Sequence, residues 1–211
     1  MQKQRIADLL TQEGVGVESC RDPGGTTIGD RIRHVLLDYD LSQMDANCET
    51  MLFMASRAQL VAEVIRPALA RGDAVLCDRF VTSTCAYQGA AGYDPKKVIK
   101  LARYAVGDPP DGWPDLTIIL DVDVEEGFSR IGRKASHAGK NRNTSGDALL
   151  ISGAKTDAME ARPIDFHRRV RQIFLEVADY YPTPVAVVDG RGDVEQVHQR
   201  ILACMADRFE A

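Results

Sequence analysis

Residues 78–88 combine charged and polar side chains of the kind that bind phosphorylated ligands. They read Asp-Arg-Phe-Val-Thr-Ser-Thr-Cys-Ala-Tyr-Gln and directly follow the apolar run 74–77. Such a run is typical of a buried parallel strand, and open α/β sheets bind ligands where these strands end. The guanidinium of Arg79 can hold a phosphate with two hydrogen bonds and stays charged. The segment is therefore a candidate phosphate site.

The same segment contains a second polar feature. Thr84 and Gln88 are four residues apart, so a helix that begins here would place both on one face. A phosphate-binding arginine followed by a helix face that can hydrogen-bond a base is what a nucleotide-phosphorylating enzyme requires. The alternative is a solvated turn between strand and helix in which Asp78 and Arg79 form a structural pair.

Two further segments carry residues of the same kind. Residues 20–29 read Cys-Arg-Asp-Pro-Gly-Gly-Thr-Thr-Ile-Gly, and residues 51–59 read Met-Leu-Phe-Met-Ala-Ser-Arg-Ala-Gln. In order and spacing, the three segments resemble the bacterial thymidylate kinases, and the resemblance runs from about residue 3 to the last predicted helix. It implies a P-loop-kinase-like α/β fold, a parallel sheet with helices on both faces. It also implies phosphorylation of dTMP to dTDP with ATP and Mg²⁺, a step in dTTP synthesis.

The resemblance assigns the residues that would bind the nucleoside. Phe53 would stack on thymine, and Arg57 would contact the base or the phosphate from the same helix face. Thr84 and Gln88 match positions that hydrogen-bond the pyrimidine edge, and a hydroxyl and an amide can both donate and accept. Tyr87 would lie under the deoxyribose. Without the family match, Phe53 and Tyr87 would be core residues.

Further residues fall at family positions near the phosphates. Asp22 would lie near the acceptor sugar and phosphate as a catalytic residue, and Ser83 would make a minor contact. Arg33 would reach the acceptor phosphate, although on a helix it could equally be a solvated cation. Arg79 would steady the transferring group. Asp78 would hold magnesium through water, and its alternative is an ion pair with Arg79.

One family motif does not occur in this sequence. The motif G-x-x-x-x-G-K-[ST], whose backbone amides and lysine hold donor phosphates, is absent, and the pair Gly139-Lys140 lacks the following hydroxyl residue. The first ten residues instead resemble the helix that follows this loop. We therefore expect that Met1 is an internal methionine of a longer protein with a central first strand, and that the activity of a chain starting at Met1 is doubtful. A loop-less, inactive relative is the alternative.

The stretch from residue 130 to 155 is locally basic. It contains six Lys or Arg residues and one acid, Asp147, and is rich in Gly, Ser and Asn. We expect a mobile lid over about residues 130–157 that covers the donor phosphates, the alternative being a solvated insertion. Residues 157–160 read Asp-Ala-Met-Glu and lack the arginine of the family motif. The candidates to replace that cation are Arg130, Arg133 and Arg142.

Composition limits the remaining possibilities. The 211 residues are expected to form a single domain, residues 1–211, and no apolar run is long enough to cross a membrane. Five cysteines without metal-like spacing indicate reduced thiols and a cytoplasmic location. The net charge of −5 argues against a nucleic-acid partner. A homodimer is implied by the family resemblance alone.

Hydrophobic periodicity predicts strands that alternate with helices, typical of a parallel sheet between helical layers. The predicted strands are 15–20, 74–77, 116–121 and 185–188, and the predicted helices are 2–13, 30–37, 49–70, 83–89, 95–105, 124–133, one starting at 163–165, and 194–208. Residues 189–193, after the last strand, fit the loop that usually holds adenine. Two rival functions remain open: a non-catalytic dTMP-binding relative and a kinase for another nucleoside monophosphate.

Overall fold

The computed structural model describes residues 1–38, 44–130 and 162–209. Strands and helices alternate along the chain, as the periodicity predicted. The strands are β1 (Val17–Arg21), β2 (Ala74–Asp78), β3 (Thr117–Asp121) and β4 (Val185–Asp189). The helices are α1 (Gln2–Gln12), α2 (Thr27–Asp38), α3 (Ala46–Leu60), α4 (Arg66–Ala70), α5 (Val81–Ala90), α6 (Pro95–Val106), α7 (Val124–Arg130), α8 (Ile164–Val177) and α9 (Val194–Phe209).

All four described strands pair in parallel, but they form two separate ladders. β1 pairs with β2, with Cys20 opposite Cys77. β3 pairs with β4, with Asp121 opposite Asp189. Among the described residues no strand joins β2 to β3, so the predicted sheet consists of two parallel pairs. Asp78, Asp121 and Asp189 therefore all stand at carboxyl ends of parallel strands.

Helices cover both faces of these strands, as predicted. On one face, Cys20, Ile119 and Val75 pack into a core with α3, α5 and α6. On the other face, Leu76, Ile118 and Val188 pack against α1 and α9. Side chains alternate between the two faces along each strand, so adjacent residues of β2 and of β3 enter different cores. The two ladders thus share both helical layers.

The helix that supplies much of the site begins earlier than the predicted residue 49. α3 starts at Ala46 because the Asp45 carboxylate accepts hydrogen bonds from the backbone N–H groups of Asn47 and Cys48. At its other end α3 continues through a π-helical segment, Val61–Ile65, into α4. Pro67 has no N–H to donate to the preceding turn, and the wider π-helical segment ends two residues before it. The predicted single helix is therefore three consecutive helical segments.

No helix in the described part of the chain is both long enough and apolar enough to cross a membrane.

Candidate active site

One cavity lies beyond the carboxyl ends of β1 and β2, between α2, α3 and α5. Its lining includes nine of the ten acceptor-site residues that the sequence analysis named; Asp78 is the exception. The cavity is lined by Asp22, Pro23, Arg33, Leu37, Phe53, Arg57, Arg79, Phe80, Ser83, Thr84, Tyr87 and Gln88. Residues from four separate segments of the sequence are thus brought to one site.

A buried ion pair forms the floor of this cavity. The Nε of Arg57 donates to Asp22 Oδ2 at 2.7 Å, and its Nη2 lies 2.6 Å from the same oxygen. Both side chains are only 1% exposed. The guanidinium also lies over the Phe80 ring, 5.3 Å from its centroid. Arg57 therefore joins α3 to the end of β1 in a nearly dry environment, where a lost partner would leave an uncompensated charge.

Asp22 keeps one oxygen available to a ligand. Burial raises the pKa of this carboxyl, and the adjacent Arg57 opposes that shift only partly. Its Oδ1 is buried and has no hydrogen-bond partner among the described residues. Since buried polar atoms are nearly always paired, an orphan oxygen on a residue that lines a cavity is a candidate contact for a ligand hydroxyl.

The turn after Asp22 brings backbone close to the cavity. Gly24 and Gly25 have φ of +120° and +81°, a conformation that favours glycine. The Gly24 N–H donates to Ser56 Oγ at 3.0 Å, which ties the turn to α3. The Nη1 of Arg33 donates to the Pro23 carbonyl at 2.9 Å, which holds this arginine at the cavity wall.

Helix α5 presents the predicted polar face. Thr84 and Gln88 are 2% and 1% exposed, and both line the cavity. Thr84 Oγ1 accepts a hydrogen bond from Arg57 Nη2 at 2.8 Å. Neither amide atom of Gln88 has a hydrogen-bond partner in the described structure. A buried amide with no partner is costly in the free protein, and a ligand edge of matching polarity would satisfy it.

Two aromatic residues that line the cavity also pack against neighbouring side chains. Phe53 forms a small core with Leu36 and still lines the cavity. Tyr87 is half-buried, with its ring 6.3 Å from that of Phe166 and 6.4 Å from that of Phe174. The two alternatives of the sequence analysis, core residue and ligand contact, are thus compatible for both side chains.

Arg79 occupies an unusual backbone conformation. Its φ is +68°, and it is the one described non-glycine residue with positive φ. Such a conformation costs an L-residue about 1–2 kcal/mol, and strained residues cluster at functional sites. The exposed guanidinium lies 5.3 Å from the Tyr87 ring centroid, at the mouth of the cavity. Asp78, the preceding residue, is exposed at the end of β2 and does not line the cavity.

The predicted lid residues are only partly described. Arg133 and Arg142, and nearly all of the predicted lid, lie outside the described residues. Arg130 ends α7, where its Nη1 donates to the Gly190 carbonyl at 3.0 Å and its Nη2 pairs with Glu126. Its guanidinium therefore contacts the loop 189–193 and does not line the acceptor cavity.

Two charged residues that meet near the start of α3 were not identified from the sequence. Glu49 is 3% exposed and lies one turn before Phe53 on α3. Arg162 Nη2 lies 3.6 Å from Glu49 Oε1. The spacing of Glu49, Phe53 and Arg57, each four residues apart, was the signal that would have placed Glu49 on the same helix face.

A second group of charges lies at the ends of β3 and β4, away from the cavity. Arg171 donates to both carboxylate oxygens of Asp121, at 2.6 and 3.0 Å, and also pairs with Asp123 at 2.7 Å. These hydrogen bonds hold the pKa of Asp121 below its ordinary value. The pairing ties α8 to the ends of the strands.

Comparison with known proteins gives a consistent result. The model of the thymidylate kinase family matches residues 1–201. The chain is 39% identical over 199 residues to the thymidylate kinase of Pelobacter propionicus, covering 94% of this chain and 84% of that protein. It is 39% identical over 201 residues to that of Syntrophotalea carbinolica, covering 95% and 86%. The crystal structure of the Ehrlichia chaffeensis thymidylate kinase superposes with a TM-score of 0.67 at 27% identity, covering 97% of this chain and 89% of that one.

Proposed function

The chain belongs to the thymidylate kinase family, and on this premise we propose which residues serve the family's reaction. That reaction transfers the γ-phosphoryl group of ATP to dTMP and gives dTDP. The observation that carries the proposal is the cavity between α2, α3 and α5, because it joins a partnerless buried amide, an aromatic face and three arginines. A nucleoside monophosphate has the complementary parts: a polar base edge, a base face and a phosphate.

Side chains of α5 would form the hydrogen bonds that recognise the base. Thr84 already accepts a hydrogen bond from Arg57, so its own hydroxyl hydrogen is available for donation to a carbonyl of thymine. Gln88 can accept from the thymine N3–H and donate to a neighbouring carbonyl. Phe53 would supply the stacking face. The Arg57 guanidinium has most of its N–H groups committed to protein partners, which leaves it at most a minor base contact.

The sugar and phosphate would lie toward the strand ends. The free Oδ1 of Asp22 is suited to accept from the sugar hydroxyl, and the Tyr87 ring would lie under the deoxyribose. Arg33 and Arg79 lie at the wall and mouth of the same cavity, where their guanidinium groups would donate hydrogen bonds to the phosphate. Ser83 would add a contact from the first turn of α5. Catalysis would consist of positioning and charge neutralisation.

Mg²⁺ is proposed to accompany ATP. Asp78 fits this role because it presents an exposed carboxylate at a strand end beside the cavity, and Mg²⁺ in such sites is held by one or two carboxylates with water and phosphate oxygens. When bound, the ion would neutralise charge on the donor phosphates.

The donor side would involve the chain beyond β4 and the basic segment. The loop 189–193, held by Arg191 and Arg200 through Asp189, is proposed to contact adenine. Arg130 would buttress that loop through Gly190. The lid of about residues 130–157, with Arg133 or Arg142 as its cation, remains a prediction.

Two wider properties are also proposed. A homodimer is supported by three exposed apolar side chains on α2 and α3, namely Ile28, Val35 and Met51, which are 51%, 40% and 52% exposed. A cytoplasmic location is supported by five free cysteines. Sedimentation analysis would test the proposed homodimer: a dimer is expected, and a monomer at micromolar concentration would contradict it.

Calorimetric titration with dTMP and dCMP tests the proposed base reading. The hydroxyl and amide complement the thymine imide, and a buried polar mismatch costs roughly 1–3 kcal/mol, so dTMP should bind about tenfold or more tightly. Equal affinity for the two nucleotides would defeat the assignment of Thr84 and Gln88.

A further inference from the structure

Ser56 carries a buried hydroxyl that joins α3 to another segment of the chain. It lies directly before Arg57 and is 0% exposed. A serine hydroxyl inside a helix commonly bonds a backbone carbonyl of the preceding turn. The Oγ of Ser56 accepts a hydrogen bond from the backbone N–H of Gly24 at 3.0 Å, in the turn that follows β1. Ser56 does not line the cavity, so the proposed function gives it no contact with the nucleotide.

The turn at residues 23–25 depends on hydrogen bonds to side chains outside it. Gly24 and Gly25 have positive φ and no side chains that could hold the turn by packing. The Gly25 N–H donates to Asp30 Oδ1 at 3.1 Å, but the Asp30 side chain is 48% exposed, so water competes for this bond. The bond from Gly24 to Ser56 is buried, and its loss would leave a buried N–H without a partner. Ser56 is therefore the stronger of the two constraints.

Asp22 lies directly before this turn, and Arg57 holds its carboxylate through one oxygen. Both Nε and Nη2 of Arg57 contact Oδ2, at 2.7 and 2.6 Å. A carboxylate anchored by a single oxygen can rotate about that contact, so the ion pair alone does not set the direction of Oδ1. The direction of Oδ1 depends also on the position of the Asp22 backbone.

That backbone is held on both sides. On the N-terminal side the Asp22 N–H donates to the Asp78 carbonyl at 3.0 Å, which ties it to the end of β2. On the C-terminal side it continues into the turn that Ser56 holds. Ser56 and Arg57, adjacent on α3, thus restrain the backbone and the side chain of the same acid.

We propose that Ser56 is a positioning residue that fixes the direction of Asp22 Oδ1 toward the sugar hydroxyl of the acceptor nucleotide. Ser56 acts through the turn at residues 23–25 and does not touch the ligand. Without its oxygen the turn loses its buried anchor, and Oδ1 is no longer held where the hydroxyl arrives. The inference rests on the proposed role of Asp22 as the acceptor for that hydroxyl.

Calorimetry with two nucleotides tests the proposal, because they differ only in the sugar hydroxyl. These are dTMP and 2′,3′-dideoxythymidine monophosphate. The wild type should bind dTMP about tenfold more tightly. In Ser56→Ala the ratio of the two dissociation constants should fall to about threefold or less, with the dideoxy nucleotide bound nearly as in the wild type. Ser56→Thr keeps the acceptor oxygen and should restore most of the ratio.

Thr50→Val is the matched control. Thr50 is another hydroxyl of α3 with 0% exposure, but its Oγ1 donates to the Ala46 carbonyl at 2.7 Å, within the same helix. The valine substitution removes a buried hydroxyl without releasing the turn. It should keep the wild-type ratio.

The outcomes separate this inference from the proposed function. If the wild type binds both nucleotides equally, the proposed sugar contact of Asp22 is wrong, and the role of Ser56 fails with it. If the wild type prefers dTMP and Ser56→Ala prefers it as strongly, only the positioning role is wrong. Equal weakening of both nucleotides by Ser56→Ala has the same meaning, because a merely structural residue would not change the ratio. Should Ser56→Ala lack a cooperative melt, Ser56→Cys, whose sulfur is a weaker acceptor, replaces it and should also lower the ratio.

Discussion

Arg57 donates from Nη2 to the hydroxyl of Thr84 at 2.8 Å, a hydrogen bond that joins α3 to α5 across the floor of the cavity. The same guanidinium holds Asp22 at the end of β1. Three elements therefore meet at one buried cation. Because Thr84 accepts this hydrogen bond, its own hydroxyl hydrogen remains available to a ligand in the cavity. The contact with Arg57 thus makes Thr84 a hydrogen-bond donor toward the base.

Arg57→Met should therefore destabilise the fold. It leaves the Asp22 carboxylate buried and unpaired, which costs about 3–5 kcal/mol in comparable pairs. Chemical denaturation at neutral pH measures the loss. Arg103→Met is the control, because its pair with Asp108 is exposed and should contribute no more than about 1 kcal/mol. Similar losses in the two variants would contradict the central position of Arg57.

Thr84 offers a matched pair of substitutions. Thr84→Val keeps the shape but removes the hydroxyl, and should weaken dTMP binding by about tenfold, since it removes a buried donor and frees the Arg57 N–H from its acceptor. Thr84→Ser keeps the hydroxyl and should bind within about threefold of wild type. Calorimetry on both variants checks this. If the valine variant binds dTMP as well as the serine variant, the hydroxyl has no part in recognition.

Arg79 is predicted to contact the phosphate, so its effect should depend on whether the ligand carries one. Arg79→Ala should weaken dTMP by about tenfold or more and leave thymidine nearly unchanged. Arg79→Lys should recover only part of the loss, because an ammonium cannot reproduce the planar fork. Competition binding with both ligands measures the difference. Arg21→Ala, at an exposed residue of β1 paired with Asp30, is the control and should change neither affinity. Equal weakening of thymidine by Arg79→Ala would rule out a phosphate contact.

The pair of Arg171 and Asp121 predicts a pH dependence of stability. Hydrogen bonds from Arg171 hold the pKa of Asp121 below its ordinary value of 3.8. A depressed folded-state pKa stabilises the native protein above the ordinary value, and that contribution is lost as pH falls through the folded-state pKa. The stability lost in Arg171→Met should therefore be larger at pH 7 than at the lowest pH at which the protein still folds.

Urea unfolding at several pH values measures this dependence. Arg169→Met, at an exposed arginine on the same helix, removes the same charge and should show no such pH-dependent difference. A constant difference between wild type and Arg171→Met at every pH would show that Asp121 is not held by this arginine.

Local spacing in the sequence identified residues that share one element. Thr84 and Gln88 on α5, and Phe53 and Arg57 on α3, lie together because four residues make about one helical turn. The partners of Arg57 could not be found in this way. Asp22 and Thr84 are 35 and 27 residues from it, and only tertiary packing decides that they meet. The sequence therefore assigned Arg57 to a ligand, whereas the structure shows most of its donors bound to protein.

Strand order presented a similar limit. The apolar runs predicted four parallel strands, since such runs are buried on both faces. The apolar residues of β2 and β3 do not indicate which strands are neighbours in the sheet. The described strands pair only as β1 with β2 and β3 with β4. The conformation of Arg79 was equally hidden, because nothing in its side chain favours a positive φ.

A crystal structure of the protein with bound dTMP tests the central claim most directly. We expect the thymine ring against Phe53 with its polar edge at Thr84 and Gln88, and the phosphate within hydrogen-bond distance of Arg79. Such a complex would place the nucleotide in the cavity between α2, α3 and α5. Density for dTMP instead in the second cavity, beside β3 and lined by Asp121, His167 and Arg171, would contradict the account.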